Sequence, residues 1–169
     1  NVLAPAIPAI MAGNAALVKV SEWTSWSAAR IQRIFDEALR AEGHSADLVQ
    51  LITGYAPTGA ALVAAGVDKI VFTGSMANGK RVLAASAETL TPVILELGGK
   101  DPMIVCDDAD LQQAVHNALV GTLTSAGQLC MAAERIYVFD AVHDEFVAMI
   151  ARIAGQLRQG APLGEARVD

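Results

Sequence analysis

An α/β fold on a parallel, doubly wound, Rossmann-like sheet is predicted by two features of the 169-residue sequence. Short apolar runs alternate with amphipathic stretches, and the apolar runs end in turns carrying Gly or Ser. That order puts helices on the faces of a parallel sheet and ligands at the carboxyl ends of its strands. A third observation, the change of character at Gly98-Gly99, divides the chain into one α/β domain over 1–97 and the beginning of a second over 98–169.

The elements follow from periodicity and punctuation. Pro8 to Ala12 reads as the end of a buried helix closed by Gly13-Asn14. AALVKV, 15–20, is a short strand that runs out through Lys19, Val20, Ser21 and Glu22. Thr24 or Ser25 caps the next helix, where Ile31, Ile34, Phe35, Ala38 and Leu39 keep helical spacing until Gly43. A strand over 48–53 passes through Gly54-Tyr55-Ala56-Pro57-Thr58-Gly59 into a small helix. A strand over 69–72 ends in Thr73-Gly74-Ser75 and feeds a helix near 78–87. Apolar strands at 93–97 and 103–105 flank the glycine pair. A helix over 110–123, a strand over 135–139 and an amphipathic helix over 145–157 complete the order.

Composition narrows the function. The formal net charge is -6, and no cluster of Lys or Arg is interleaved with aromatics, which argues against a nucleic-acid surface. The two cysteines, Cys106 and Cys130, form neither a disulfide framework nor a metal-ligand spacing, so a reducing, cytoplasmic setting is expected. The stretch 1–18 carries no charge, but Pro5, Pro8, Gly13 and Asn14 interrupt it, and it reads as a buried helix and strand rather than a membrane span. The chain starts without Met and ends in EARVD, which is no helix stop; it reads as a segment of a longer protein. Targeting or membrane anchoring outside the segment stays open.

Few residues are placed to do chemistry. Cys130 follows the small and polar run Ser125-Ala126-Gly127-Gln128, where backbone and substrate can approach closely. At a helix start its thiolate would be favoured; a buried small hydrophobe is the competing reading. Cys106, after the apolar run PMIV, reads as structural. Glu96 lies inside VILELGG, and a carboxylate in such surroundings is either paired or kept for proton transfer. Lys19 and Glu22 stand just past a strand end, where a ribose or phosphate would lie, and Ser75 could offer a hydroxyl and backbone N–H groups to a pyrophosphate. No GxGxxG fingerprint is present. His44, His116 and His143 have no triad spacing and read as solvated or packed, and Trp23, Trp26 and Tyr55 read as ordinary packing.

Taken together, PAIMAGNAALVKVSE, VDKIVFTGS, LELGGKDPMIV with DDADL, and GQLCMAAER resemble the NAD(P)-dependent aldehyde dehydrogenases, through nearly the whole chain and in that family's order. Glu96 and Cys130 lie 34 residues apart, as in the family. The resemblance implies an aldehyde dehydrogenase-like fold in which 1–97 is the later part of a coenzyme-binding domain and 98–169 opens the catalytic domain. It makes Cys130 the nucleophile that forms a thiohemiacetal and then a thioester, and Glu96 the activator of the hydrolytic water. Lys19, Ser21 and Glu22 would hold the adenosine ribose, with Gly59 near the adenine-binding helix. Phe72, Thr73, Gly74 and Ser75 would face the cofactor, and Leu97 and Gly98 would lie on its nicotinamide side. NAD is the expected cofactor, NADP being possible, because Glu22 would repel a 2′-phosphate. An aldehyde is the expected substrate, and a homodimer or homotetramer the expected full-length assembly. The segment alone should be inactive, since the family's oxyanion asparagine would lie upstream of Asn1. A coenzyme A-acylating relative and a non-catalytic relative are the alternatives; the presence of both Glu96 and Cys130 argues against each.

Overall fold

The computed structural model describes residues 2–160, so Asn1 and the terminal EARVD lie outside them. The chain divides between Leu97 and Gly98 into two compact units, and every strand ladder in either unit is parallel.

The first unit begins with helix α1 (Leu3–Met11), whose end is turned by Gly13 at φ 83°. Only Ala6 of α1 is buried, while Leu3, Ile7 and Met11 are exposed, so the helix is not the buried one expected from its apolar sequence. These three residues recur every four positions and therefore share one face. Strand β1 (Ala16–Lys19) pairs in parallel with β2 (Val49–Ile52), and helix α2 (Ser25–Ala41) connects them. Ala6, Phe35, Leu39 and Val49 form the core here, with Ile31 and Val18 packed against it. Ile34, expected on the same apolar face, is exposed instead. Thr24 supplies no side-chain cap to α2, because a 3-10 turn over Glu22–Thr24 precedes the helix and the Thr24 hydroxyl donates back to the Ser21 carbonyl at 3.1 Å. The α2 carboxyl end is closed by Gly43 at φ 76°, with the His44 N–H donating to Leu39.

One side chain of α2 does unusual work for the sheet. The Gln32 amide donates to the Val49 carbonyl at 2.8 Å and accepts from the Leu51 N–H at 2.7 Å. These two β2 groups alternate with Gln50 and Ile52; the Ile52 carbonyl accepts from Val20, on the β1 side. Gln32 therefore satisfies the opposite edge of β2 as another strand would.

Helix α3 (Ala56–Val63), strand β3 (Ile70–Gly74), helix α4 (Met76–Ala87) and strand β4 (Val93–Leu97) complete the unit. β3 and β4 pair in register from Ile70 opposite Val93 to Gly74 opposite Leu97. Buried Gly79 lets α4 approach the sheet, since a Cβ there would lie 2.8 Å from the Leu97 side chain.

The second unit is a strand–helix–strand crossover followed by a helix. β5 (Asp101–Val105), α5 (Leu111–Leu123), β6 (Ala133–Val138) and α6 (Asp140–Ala154) succeed one another. Val105, Val115, Ala118 and Phe146 form its core, with Met103, Ile136 and Ile153 around them. Asp110 caps α5 by accepting from the Gln113 N–H at 3.1 Å. Among the described residues, no helix is long and apolar enough to cross a membrane.

Candidate active site

The first group of candidate residues stands at the carboxyl ends of the strands in the first unit. Past β1, the Lys19 ammonium and the Glu22 carboxylate form an ion pair at 3.2 Å. Ser21, between them, accepts from the Trp23 N–H and so fixes the turn that brings Glu22 back toward Lys19. The Glu22 pKa is lowered, first by a backbone N–H bonded to its carboxylate and then by the Lys19 hydrogen bond and charge. A carboxylate held ionised at an exposed strand end can accept hydrogen bonds from a diol.

At the end of β3, Ser75 caps α4: its hydroxyl accepts from the Asn78 N–H at 3.3 Å, and its carbonyl accepts from Gly79 at 2.8 Å. The Met76 and Ala77 N–H groups at that helix start have no acceptor among the described residues, which leaves them for an anion. The Phe72 ring lies across Gly74, where a Cβ would come within 2.7 Å of it. Register places Thr73 opposite Glu96 and Gly74 opposite Leu97, so the turn after β3 and the Glu96 region are neighbours. Gly59 sits inside α3 with open space where its Cβ would be, so sterics do not explain a glycine there.

Glu96 corrects one expectation. It is exposed and its side chain has no partner among the described residues, although its sequence neighbours are apolar. β4 alternates, with Val93, Leu95 and Leu97 turned inward and Ile94 and Glu96 outward.

Cys130 corrects another. No helix begins at it; it occupies a turn closed by the Ala132 N–H donating to the Leu129 carbonyl at 3.2 Å. The chain reaches that turn through Ser125 at φ 55°, Ala126 at φ 57° and Gly127 at φ 73°, three left-handed residues in succession. The thiol is exposed, and the Cys130 N–H has no acceptor among the described residues. Cys106, expected to be packed, is exposed just past the end of β5. Trp23 and Trp26 are 89% and 78% exposed and Tyr55 is exposed as well, so none of the three is a packing residue here. Trp26 instead carries the Arg30 guanidinium over its ring at 4.4 Å.

Two hollows in the described residues lie away from these side chains. One of about 240 Å³ lies between β5 and α5 beside Met103, Asp110 and Gln113, and one of about 190 Å³ lies beside Asn14 and His44. Among the described residues, no cluster of His, Cys, Asp and Glu could hold a metal ion. Gly79 and the left-handed pair Ser125-Ala126 went unread in the sequence.

The aldehyde dehydrogenase family model matches residues 1–168. This chain belongs to the aldehyde dehydrogenase family. A betaine aldehyde dehydrogenase of Cereibacter sphaeroides is 42% identical over 159 residues, covering 94% of this chain and 32% of that protein. Among solved structures, an NADP-dependent enzyme of E. coli superposes with a TM-score of 0.85 at 36% identity, over 95% of this chain and 33% of that one. The NAD+ complex of the aldehyde dehydrogenase from Bacillus cereus gives 0.79 at 34% identity, over 89% and 30%. This aldehyde dehydrogenase chain thus spans about a third of the length of the relatives it matches.

Proposed function

We propose that the protein carrying this chain oxidises an aldehyde to a carboxylic acid with NAD(P)+, through a covalent intermediate on Cys130. The observation that carries the reading is the Cys130 turn: an exposed thiol on irregular backbone, with its own N–H free to meet an oxyanion. The Cys130 thiolate adds to the carbonyl carbon and gives a thiohemiacetal, to whose oxyanion the Cys130 N–H donates. NAD(P)+, when bound, would supply the two-electron acceptor needed for oxidation of this adduct to a thioester. The Glu96 carboxylate then takes a proton from a water that attacks the thioester, and the Cys130 thiolate leaves with the acid released. One sulfur serves both halves because a thiolate is a good nucleophile and a good leaving group. Exposure of Glu96 suits this role, since a carboxylate that must collect a water cannot be sealed in a core.

The residues fit the dinucleotide. The α4 start, with Ser75 and two N–H groups that lack acceptors among the described residues, suits a pyrophosphate; the ionised Glu22 and its partner Lys19 suit an adenosine ribose. In this reading Ser21 supports that pair, Gly59 lies near the adenine-binding helix, Phe72, Thr73 and Gly74 face the cofactor, and Leu97 and Gly98 lie on its nicotinamide side. A 2′-phosphate would meet the Glu22 charge, so NAD is the preferred cofactor in this reading. In the same reading 1–97 belongs to a coenzyme-binding domain and 98–169 opens a catalytic domain, in a cytoplasmic homo-oligomer.

The test is the full-length reading frame, assayed for NADH formation over aliphatic, aromatic and semialdehyde substrates, with and without coenzyme A. Turnover without coenzyme A that falls on the order of 10³-fold or more in Cys130→Ser is expected. The chain alone should form no NADH. A full-length protein that oxidises no aldehyde, or that retains its rate without the Cys130 thiol, removes the proposal.

A further inference from the structure

The ladder between β5 and β6 is irregular at its start. Asp101 faces Ala133 and Pro102 faces Arg135, so Glu134 has no residue opposite it. This is a one-residue bulge in β6. Its position has a local cause, because Pro102 has no N–H to give the ladder. Exposure also stops alternating there: Glu134 and Arg135 are exposed in succession, where consecutive residues of an unbroken strand point to opposite faces.

The extra residue lets both side chains turn to the same target. The Glu134 carboxylate pairs with the Lys100 ammonium. The Arg135 guanidinium donates to the Lys100 main-chain carbonyl at 2.8 Å. Lys100 is thus held by its side chain and its backbone, immediately after the permissive pair Gly98-Gly99.

Along the sequence, Lys100 follows Glu96 by four residues and Glu134 follows Cys130 by four. The turn bearing Cys130 has a single internal main-chain bond, and it is preceded by three left-handed residues. Such a turn takes its direction from what anchors it downstream. An isolated exposed ion pair adds little to stability, so the worth of this one is geometric.

We infer that Lys100, Glu134 and Arg135 form a positioning clasp that sets the direction in which the Cys130 thiol is presented, and that its grip depends on charge. The clasp deepens the function proposed above and rests on Cys130 being the nucleophile. None of its three residues touches the reacting atoms; they act through the turn.

The test uses the full-length protein, its Lys100→Glu and Glu134→Lys variants, and the double exchange. Alkylation of Cys130 by limiting iodoacetamide is read by peptide mass spectrometry against Cys106, at the opposite end of the β5–β6 pair, as internal reference. Each single variant is expected to change the Cys130-to-Cys106 ratio by about fivefold and to lower kcat about tenfold, with KM for the cofactor within about twofold. The exchange should return both to within about twofold of the parent, as a coupled pair requires. Raising salt from about 0.05 to 1 M should move the parent ratio toward the single variants, because exposed charges are then screened. Single variants that match the parent, an exchange that folds without recovery, or a parent ratio indifferent to salt each overturn the clasp. The salt series needs no variant, so a misfolded mutant cannot hide the answer. The ratio also needs no turnover: a protein that oxidises no aldehyde sinks the proposed function, while the alkylation data still decide the clasp.

Discussion

Glu96 and Cys130 are carried by opposite kinds of backbone. Glu96 belongs to a regular strand, in register with Thr73 and flanked by inward-facing Val93, Leu95 and Leu97. Cys130 belongs to a turn with one internal main-chain bond, entered through residues in a conformation that only glycine adopts freely. The difference suits the two roles proposed. A base that positions water gains from a ladder that fixes its Cα, whereas a nucleophile needs its sulfur and its own N–H clear of the ladder.

The largest effect that would break this contrast is chemical. Glu96→Gln should slow steady-state turnover of the full-length protein by about 10²–10⁴-fold while a first-turnover burst of NADH survives, as stopped-flow absorbance would record. Loss of the burst as well would place Glu96 in the first half of the reaction. The next effects are structural and opposite in sign. Gly74→Ala puts a methyl 2.7 Å from the Phe72 ring and should cost about 1–3 kcal/mol in denaturant unfolding. Ala126→Gly relieves a left-handed alanine and should gain about 1 kcal/mol by the same measurement. If both substitutions destabilise, the Cys130 approach is not strained and the contrast weakens.

The smallest effect concerns ionisation at a strand end. The Glu22 carboxyl should titrate below the ordinary glutamate range by NMR. Its pKa is lowered in the folded chain, so whatever stability it adds is present at neutral pH and lost as pH falls through that lowered value. Lys19→Met should bring the value part of the way back, since the backbone hydrogen bond that contributes most remains.

The regular parts of the molecule were legible in the sequence because they repeat. The 3.6-residue spacing of Ile31, Phe35, Ala38 and Leu39 marks α2, and the apolar runs ending in Gly or Ser mark β1, β2 and β3. The family motifs extended that reading to candidate chemistry. What they could not convey was exposure. An apolar flank made Glu96 look buried, but alternation along a strand, not the neighbours' hydrophobicity, decides which way a side chain faces. Cys106, Trp23, Trp26 and Leu3 are likewise exposed in a chain that spans about a third of its relatives' length. The left-handed run before Cys130 was illegible for a further reason: Ser125 and Ala126 have no preference for that conformation, so context must impose it.

Gln32 has a consequence for how this chain can grow or go astray. By occupying the Val49 carbonyl and the Leu51 N–H, its amide takes two of the outer groups of β2 on which a stray strand could zip up. Lengthening of that ladder is thereby directed to the β1 flank, and one neutral side chain gives the sheet a beginning.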